Sequence, residues 1–224
     1  MTALPLLLAT ALLLGALHAF DPDHLAAMTA FIARRPTRAD AIGFALRWGA
    51  GHSGTLGTVG LATTLFRLAV TPDLTAAAEL AVGAMLVGLG LWVLAGIARG
   101  SLLMRAHTHD DGPHHTHLHR PDHAATGRHP EFWVGALHGL AGSAGLLVII
   151  PVGLMSSPWG VLACVASFSL GVVIAMSACA LVMSGLFGWL AGGLPSPWRP
   201  WLSGAAGCGT ILLGVAWISR TLDV

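Results

Sequence analysis

The chain has 224 residues, 55% of them hydrophobic and only 9% charged, with a formal net charge of +1 at neutral pH and a mean hydropathy of +0.76. Soluble domains carry about a quarter charged residues, so this composition excludes an ordinary water-soluble domain and a basic nucleic-acid binder. Lipid is the expected solvent for most of the chain, and no nucleic-acid partner is expected.

A spanning helix needs about 20 mostly apolar residues, because the hydrocarbon core is about 30 Å thick and a helix rises about 1.5 Å per residue. Six segments meet that requirement: 4–32, 41–66, 77–98, 132–155, 159–190 and 201–219. The first begins like a signal peptide, but no Lys or Arg precedes its apolar run, and cleavage near Ala19 would discard His18. It is therefore read as the first span. The expected fold is an all-α polytopic membrane protein.

There is no lysine, and most arginines (Arg34, Arg35, Arg38, Arg99, Arg105, Arg120, Arg128 and Arg199) fall in the loops after spans one, three and five. Arg67 and Arg220 lie at the opposite ends. The positive-inside rule then puts those three loops in the cytoplasm and both termini outside an inner cell membrane. Trp133, Trp159, Trp189, Trp198 and Trp201 lie near span ends, where interfacial anchors sit. Cys164, Cys179 and Cys208 all fall within spans without a C-x-x-C pair, and are expected to be small buried residues rather than a disulfide framework or a thiolate metal site.

The chain also repeats. Gly15-Ala16-Leu17-His18 recurs 120 residues later as Gly135-Ala136-Leu137-His138, followed in order by Gly51 with Gly171, Leu65-Phe66 with Leu186-Phe187, Gly83-Ala84 with Gly204-Ala205, and Arg99 with Arg220. Three spans per unit is an odd number, so the second copy must enter from the other side of the membrane. The expectation is six transmembrane helices as two three-helix inverted repeats, residues 1–98 and 132–224, joined by a loop at 99–131, with a substrate site where the copies meet.

The densest chemistry is His18-Ala-Phe-Asp21-Pro22-Asp23-His24 within the first span. Ionisable groups at such depth cost several kcal/mol unless partnered or hydrated, so a function is their default reading. Pro22 supplies no N–H to the His18 carbonyl and crowds it, which predicts a broken first helix whose exposed backbone lines a cavity. The second span adds Arg47, expected to pair with an acidic group such as Asp21, and then His52 among small residues. The second repeat offers His138 followed by Gly139, Gly142, Ser143 and Gly145 in place of the acidic run. Imidazole with carboxylate suits borderline divalent metals such as nickel, cobalt or zinc.

His18-x4-Asp23-His24 resembles the H-x4-D-H signature of the nickel/cobalt transporter family, and Gly51-His52-Ser53 is similar to that family's Gly-His-Ser motif in the next helix. Six spans resemble its shorter branch, the urease-accessory-like and hydrogenase-accessory-like permeases. The resemblance implies that His18, Asp23, His24 and His52 bind transported Ni2+ or Co2+, with Asp21 alongside; His138 is added on the repeat. No catalytic residue or resident cofactor is expected, and the substrate is the metal ion itself.

The 99–131 loop holds His107, His109, His114, His115, His117, His119, His123 and His129 among acidic residues, Gly112 and Pro113. It reads as a disordered cytoplasmic metal-catching tether, since His-rich tracts are a compositional metal signal. A cytoplasmic metallochaperone is a candidate partner beside membrane lipid. Uptake is the expected direction. The alternatives are a nickel/cobalt exporter, which would collect cytoplasmic metal on the same loop, a metal sensor or accessory subunit, and an intramembrane His-box metalloenzyme. Neither H-E-x-x-H nor repeated H-x-x-x-H boxes on the spans occur in support of the last, and no Walker motif indicates ATP coupling.

Overall fold

The computed structural model describes residues 3–34, 37–66, 71–99, 129–141, 157–194 and 198–223. Among them are seven helices and no strand: α1 (Ala3–His18), α2 (Pro22–Arg34), α3 (Arg38–Phe66), α4 (Pro72–Ala98), α5 (Pro130–Ala141), α6 (Pro158–Gly193) and α7 (Arg199–Leu222). Proline opens α2, α4, α5 and α6, at the position where its missing N–H leaves no helical carbonyl unpaired. Thr37 caps α3, its hydroxyl accepting the Asp40 N–H at 3.1 Å and donating to the Asp40 carboxylate at 2.7 Å. Thr71 caps α4 by accepting the Leu74 N–H at 3.3 Å.

By length and composition, α4, α6 and Pro200–Leu222 of α7 can each cross a membrane, and α1 with α2 makes a fourth such span if the bent pair counts as one. Among the described residues this falls short of the six spans expected. With 29 residues α3 is long enough, but Arg38, Asp40, Arg47, His52 and its glycines make it too polar. The segment expected at 132–155 is described only to Ala141, and the His-rich tract from His107 to His123 lies outside the described residues.

The first hydrophobic run is broken as its proline requires. Helices α1 and α2 meet at 57°, and the three residues between them form a tight turn in which the Phe20 N–H bonds the Leu17 carbonyl and the Asp21 N–H bonds that of His18, both at 3.0 Å. The expected exposed oxygen is thus absent: the turn itself satisfies the His18 carbonyl with a shorter-range bond.

Around α2 the other helices pack in pairs, α1 with α6, α3 with α5 and α4 with α7, while α3 also lies along α6. Without a hydrophobic driving force between helices in lipid, small residues and interhelical hydrogen bonds must hold such pairs. A Cβ at Gly15 would collide with the Phe168 carbonyl oxygen, and one at Gly171 with that of Leu12, so α1 and α6 touch backbone to backbone. In α3 and α5, Gly51 meets the Phe132 carbonyl and Gly135 that of Trp48, again with no room for an added carbon. The hydroxyls of Ser167 and Ser203 bond the carbonyls of Leu8 and Ala33 at 2.7 and 3.0 Å, tying α6 to α1 and α7 to α2.

Trp48, Phe168, Met28, Ile32, Leu86 and Met176 fill the interior, while Leu6, Leu13, Val182 and Leu212 face outward with Trp133, Trp159, Trp189, Trp198 and Trp201. An outer surface this apolar fits lipid contact. Of the cysteines, Cys164 is buried and Cys179 half-buried, but Cys208 is exposed on α7 and departs from the expected burial.

The glycine contacts give a test. Gly135→Ala forces α5 off α3 and should destabilise the protein by about 1–3 kcal/mol. Gly185→Ala, which has open space around it, should be neutral or slightly stabilising. Thermal unfolding of the two purified variants in detergent compares them.

Candidate metal centre

Five of the six site residues expected from the sequence come together where α1, α2, α3 and α5 meet. His18 ends α1, Asp23 and His24 lie in the first turn of α2, His52 sits midway along α3 and His138 lies in the last turn of α5. His24, His52 and His138 are each 1% exposed, and His18 and Asp23 are also buried. In one continuous helix His18 and His24 would point apart; the bend instead brings their rings to 4.4 Å. The rings of His52 and His138 stand 5.6 and 4.8 Å from that of His24.

Asp21 is placed differently. Its carboxylate bonds His18 Nδ1 at 2.7 Å, but its side chain is 43% exposed, so it stands at the rim. Nor does it pair with Arg47 as expected: the guanidinium of Arg47 lies 3.7 Å from Glu131 at the start of α5. The arginine thereby links α3 to α5, and with no lone pair it is not itself a metal ligand. His129, at the start of α5, is exposed.

The hydrogen bonds orient the imidazoles. His18 Nδ1 faces Asp21, His24 Nδ1 faces Asp23 Oδ1 at 3.0 Å, and His138 Nδ1 donates to the Val134 carbonyl at 2.9 Å. Each oxygen partner favours the proton on Nδ1 and leaves Nε2 with its lone pair, the arrangement seen in metal-ligating histidines. The Nε2 atoms of His24 and His138 and both ring nitrogens of His52 are buried without a hydrogen-bond partner. Leaving a buried polar atom unsatisfied costs about 1–3 kcal/mol, and four such atoms here are imidazole nitrogens at one helix junction.

Two sets of ligand atoms lie within 4.8 Å of one another: His18, His24 and His52, and Asp23, His24 and His138. Metal–nitrogen bonds of about 2.1 Å place ligands about 3–3.4 Å apart, so either set could close on an ion by a shift of about an ångström. Beside them is a cavity of ≈ 20 Å³ lined by His18, Asp21, Asp23, Glu79, Val82, Ala141 and Trp217, room for about one water.

Sequence reasoning passed over Trp48, whose fully buried ring stacks on His52 at 4.8 Å and 13° and also contacts His24 and His138. Its i, i+4 spacing from His52 was the available signal. It also passed over Glu79, whose carboxylate lines the cavity and accepts a hydrogen bond from Thr221 at 3.3 Å; a lone acid in an apolar span marks such a residue. Trp217, also in the cavity wall, had no signal beyond its lying in a span.

No protein-family model matches the chain, and no solved structure matches it. The chain is 28% identical over 167 residues to the urease accessory protein UreH of Bacillus sp. (strain TB-90), an alignment covering 73% of this chain and 69% of that protein. This likeness is to a urease accessory protein, the kind of relative that the two histidine motifs lead one to expect.

Proposed function

We propose that this chain carries a divalent transition-metal ion, nickel or cobalt, inward across the cell membrane through the histidine and aspartate cluster at the α1–α2 break. The observation that carries the reading is the set of buried imidazole nitrogens with no partner. Each is a lone pair or N–H that the fold leaves unsatisfied, and neutral imidazoles beside a carboxylate are ligands for metals of this class. The relative's designation as a urease accessory protein favours nickel.

On this reading the chain forms two inverted three-helix units, residues 1–98 and 132–224, that cross the membrane six times. Two pairs of helix contacts support it. Gly15 on Phe168 becomes Gly135 on Trp48 when each residue is exchanged for its partner 120 positions away, and Gly171 on Leu12 becomes Gly51 on Phe132 in the same way. Inverted repeats place the substrate between the copies, and here His138 of the second meets Asp23 and His24 of the first. The 99–131 loop would lie in the cytoplasm, with both termini outside, and its histidines would take up the released ion and pass it to a metallochaperone.

The ion would shed its water at the mouth of the cavity lined by Asp21, Asp23 and Glu79 and exchange it for carboxylate and imidazole. Inward movement along a negative-inside potential gains about 2.3 kcal/mol per charge per 100 mV, hence about 4.6 kcal/mol for a dication. Such a gradient can drive accumulation without ATP.

Radiolabelled nickel and cobalt uptake into proteoliposomes tests this. The wild-type protein should accumulate metal, faster when a potassium gradient with valinomycin makes the interior negative, and His24→Ala or His52→Ala should lower flux about 100-fold or more, since even outer-shell partners of a metal are worth about 10–100-fold. Equal flux in all three proteins refutes the site. Whole-cell metal content on expression fixes direction, accumulation meaning uptake and depletion meaning efflux.

Binding has its own signature. Ni2+ at 100 times its dissociation constant should stabilise the wild-type protein by about 2.7 kcal/mol, read as a rise in melting temperature, and the rise should vanish in His24→Ala. A rise that survives in His24→Ala would place the ion elsewhere.

A further inference from the structure

Resting on that transport reading, we infer that the two histidine sets are successive stations for a single ion, with His24 common to both and the repeat-related His18 and His138 exchanged as the ion moves. One set is His18, His24 and His52, and the other Asp23, His24 and His138. His24 bonds Asp23 through Nδ1, so its buried Nε2 is the single nitrogen left to bind metal. A neutral imidazole has one lone pair there, and the two sets therefore exclude each other: they are alternatives for one ion.

The sets differ in the way that inverted repeats require. His18 and His138 stand at the same position of the two copies, in Gly-Ala-Leu-His. Their rings lie 4.4 and 4.8 Å from that of His24, a similar approach from two different helices. Each is held through Nδ1 by an oxygen of its own copy, Asp21 for His18 and the Val134 carbonyl for His138. When one copy moves against the other, His24 can drop one of these imidazoles and take the other. The ion then changes sides without losing every protein ligand.

Asp23 has two parts in this exchange. Its Oδ1 orients His24 in both stations, while its Oδ2 lies 3.7 Å from His138 Nε2 and joins the second set only. The first station is all imidazole and leaves the full dication charge; the second includes a carboxylate and lowers that charge by one. The ion therefore interacts differently with the two stations, and a ligand shifts an equilibrium between conformations only through such a difference.

Co2+ is the probe, because its visible absorption reports its ligands. In the full-length protein purified in detergent, His52→Ala should still bind one Co2+ through the carboxylate-containing set, and His138→Ala one through the all-imidazole set. The wild-type affinity is then the sum of the two, so at least one of these variants should keep a large part of it, and their spectra should differ from each other, while His24→Ala retains only Co2+ held by the loop histidines. A second member of each set guards against a misfolded variant: His18→Asn should reproduce the His52→Ala spectrum, and Asp23→Asn that of His138→Ala. All five variants should lose Co2+ flux in proteoliposomes. A single shared residual spectrum, or loss of binding in His52→Ala or His138→Ala as complete as in His24→Ala, overturns the two stations in favour of one mixed site. A wild-type protein that binds Co2+ but passes none overturns the transport reading and the stations with it, and the missing wild-type flux identifies that case.

Discussion

Pro22 has no N–H to offer the carbonyl of His18, and its ring crowds the space where that carbonyl would point. The first hydrophobic run therefore cannot continue as one helix. It turns through 57° in three residues, satisfying its backbone with shorter-range bonds from Phe20 and Asp21. The turn places the end of α1 beside the start of α2, and His24 comes to lie against His18. The positions of Asp21 at the rim and Asp23 in the interior follow from the same bend. A regular helix through these residues would have pointed the two histidines apart and left no shared cavity.

The rest of the bundle keeps that break in place. Glycines let α1 and α6, and α3 and α5, approach until one backbone rests on another. His138 and His52 reach the centre because their helices pack this closely: Gly139, next to His138, itself faces the His52 carbonyl, where an added Cβ would sit at 2.5 Å. Such contacts admit no side chain, so they hold the two helices at backbone contact. Trp48 then closes one wall by stacking on His52, and Phe168 lies against His18 at 5.5 Å. The aromatic residues keep the imidazoles dry, which strengthens their attraction for a cation and makes their unpaired nitrogens costly.

That cost has a functional meaning. Each unsatisfied ring nitrogen opposes folding by about 1–3 kcal/mol, which is appreciable against the 5–15 kcal/mol of a typical protein. Fixed Nδ1 partners keep the rings of His24 and His138 from turning to relieve it, and the stacked Trp48 holds that of His52. On the proposed transport reading, the cluster is thus organised before any ion arrives, and binding has to supply only the final contraction of the ligands.

The sequence by itself determined the class of the protein and most residues of the candidate site. Apolar runs with few charges require lipid and helices, Pro22 requires a break, and ionisable residues inside such runs mark a function. His18, Asp23, His24, His52 and His138 were legible on those grounds and meet in the structure. What only the tertiary structure decided was which groups face one another. Spacing along one helix cannot show that Glu131 on α5 would reach Arg47 before Asp21 could, nor that Glu79 on α4 would line the same cavity as His18. Nor could hydropathy identify α3 as a span, since Arg38, Asp40, Arg47 and His52 lower its average; only the packing shows it lying along α5 and α6. These outcomes depend on how closely whole helices pack, and that distance is set by glycine contacts between segments more than a hundred residues apart in several cases.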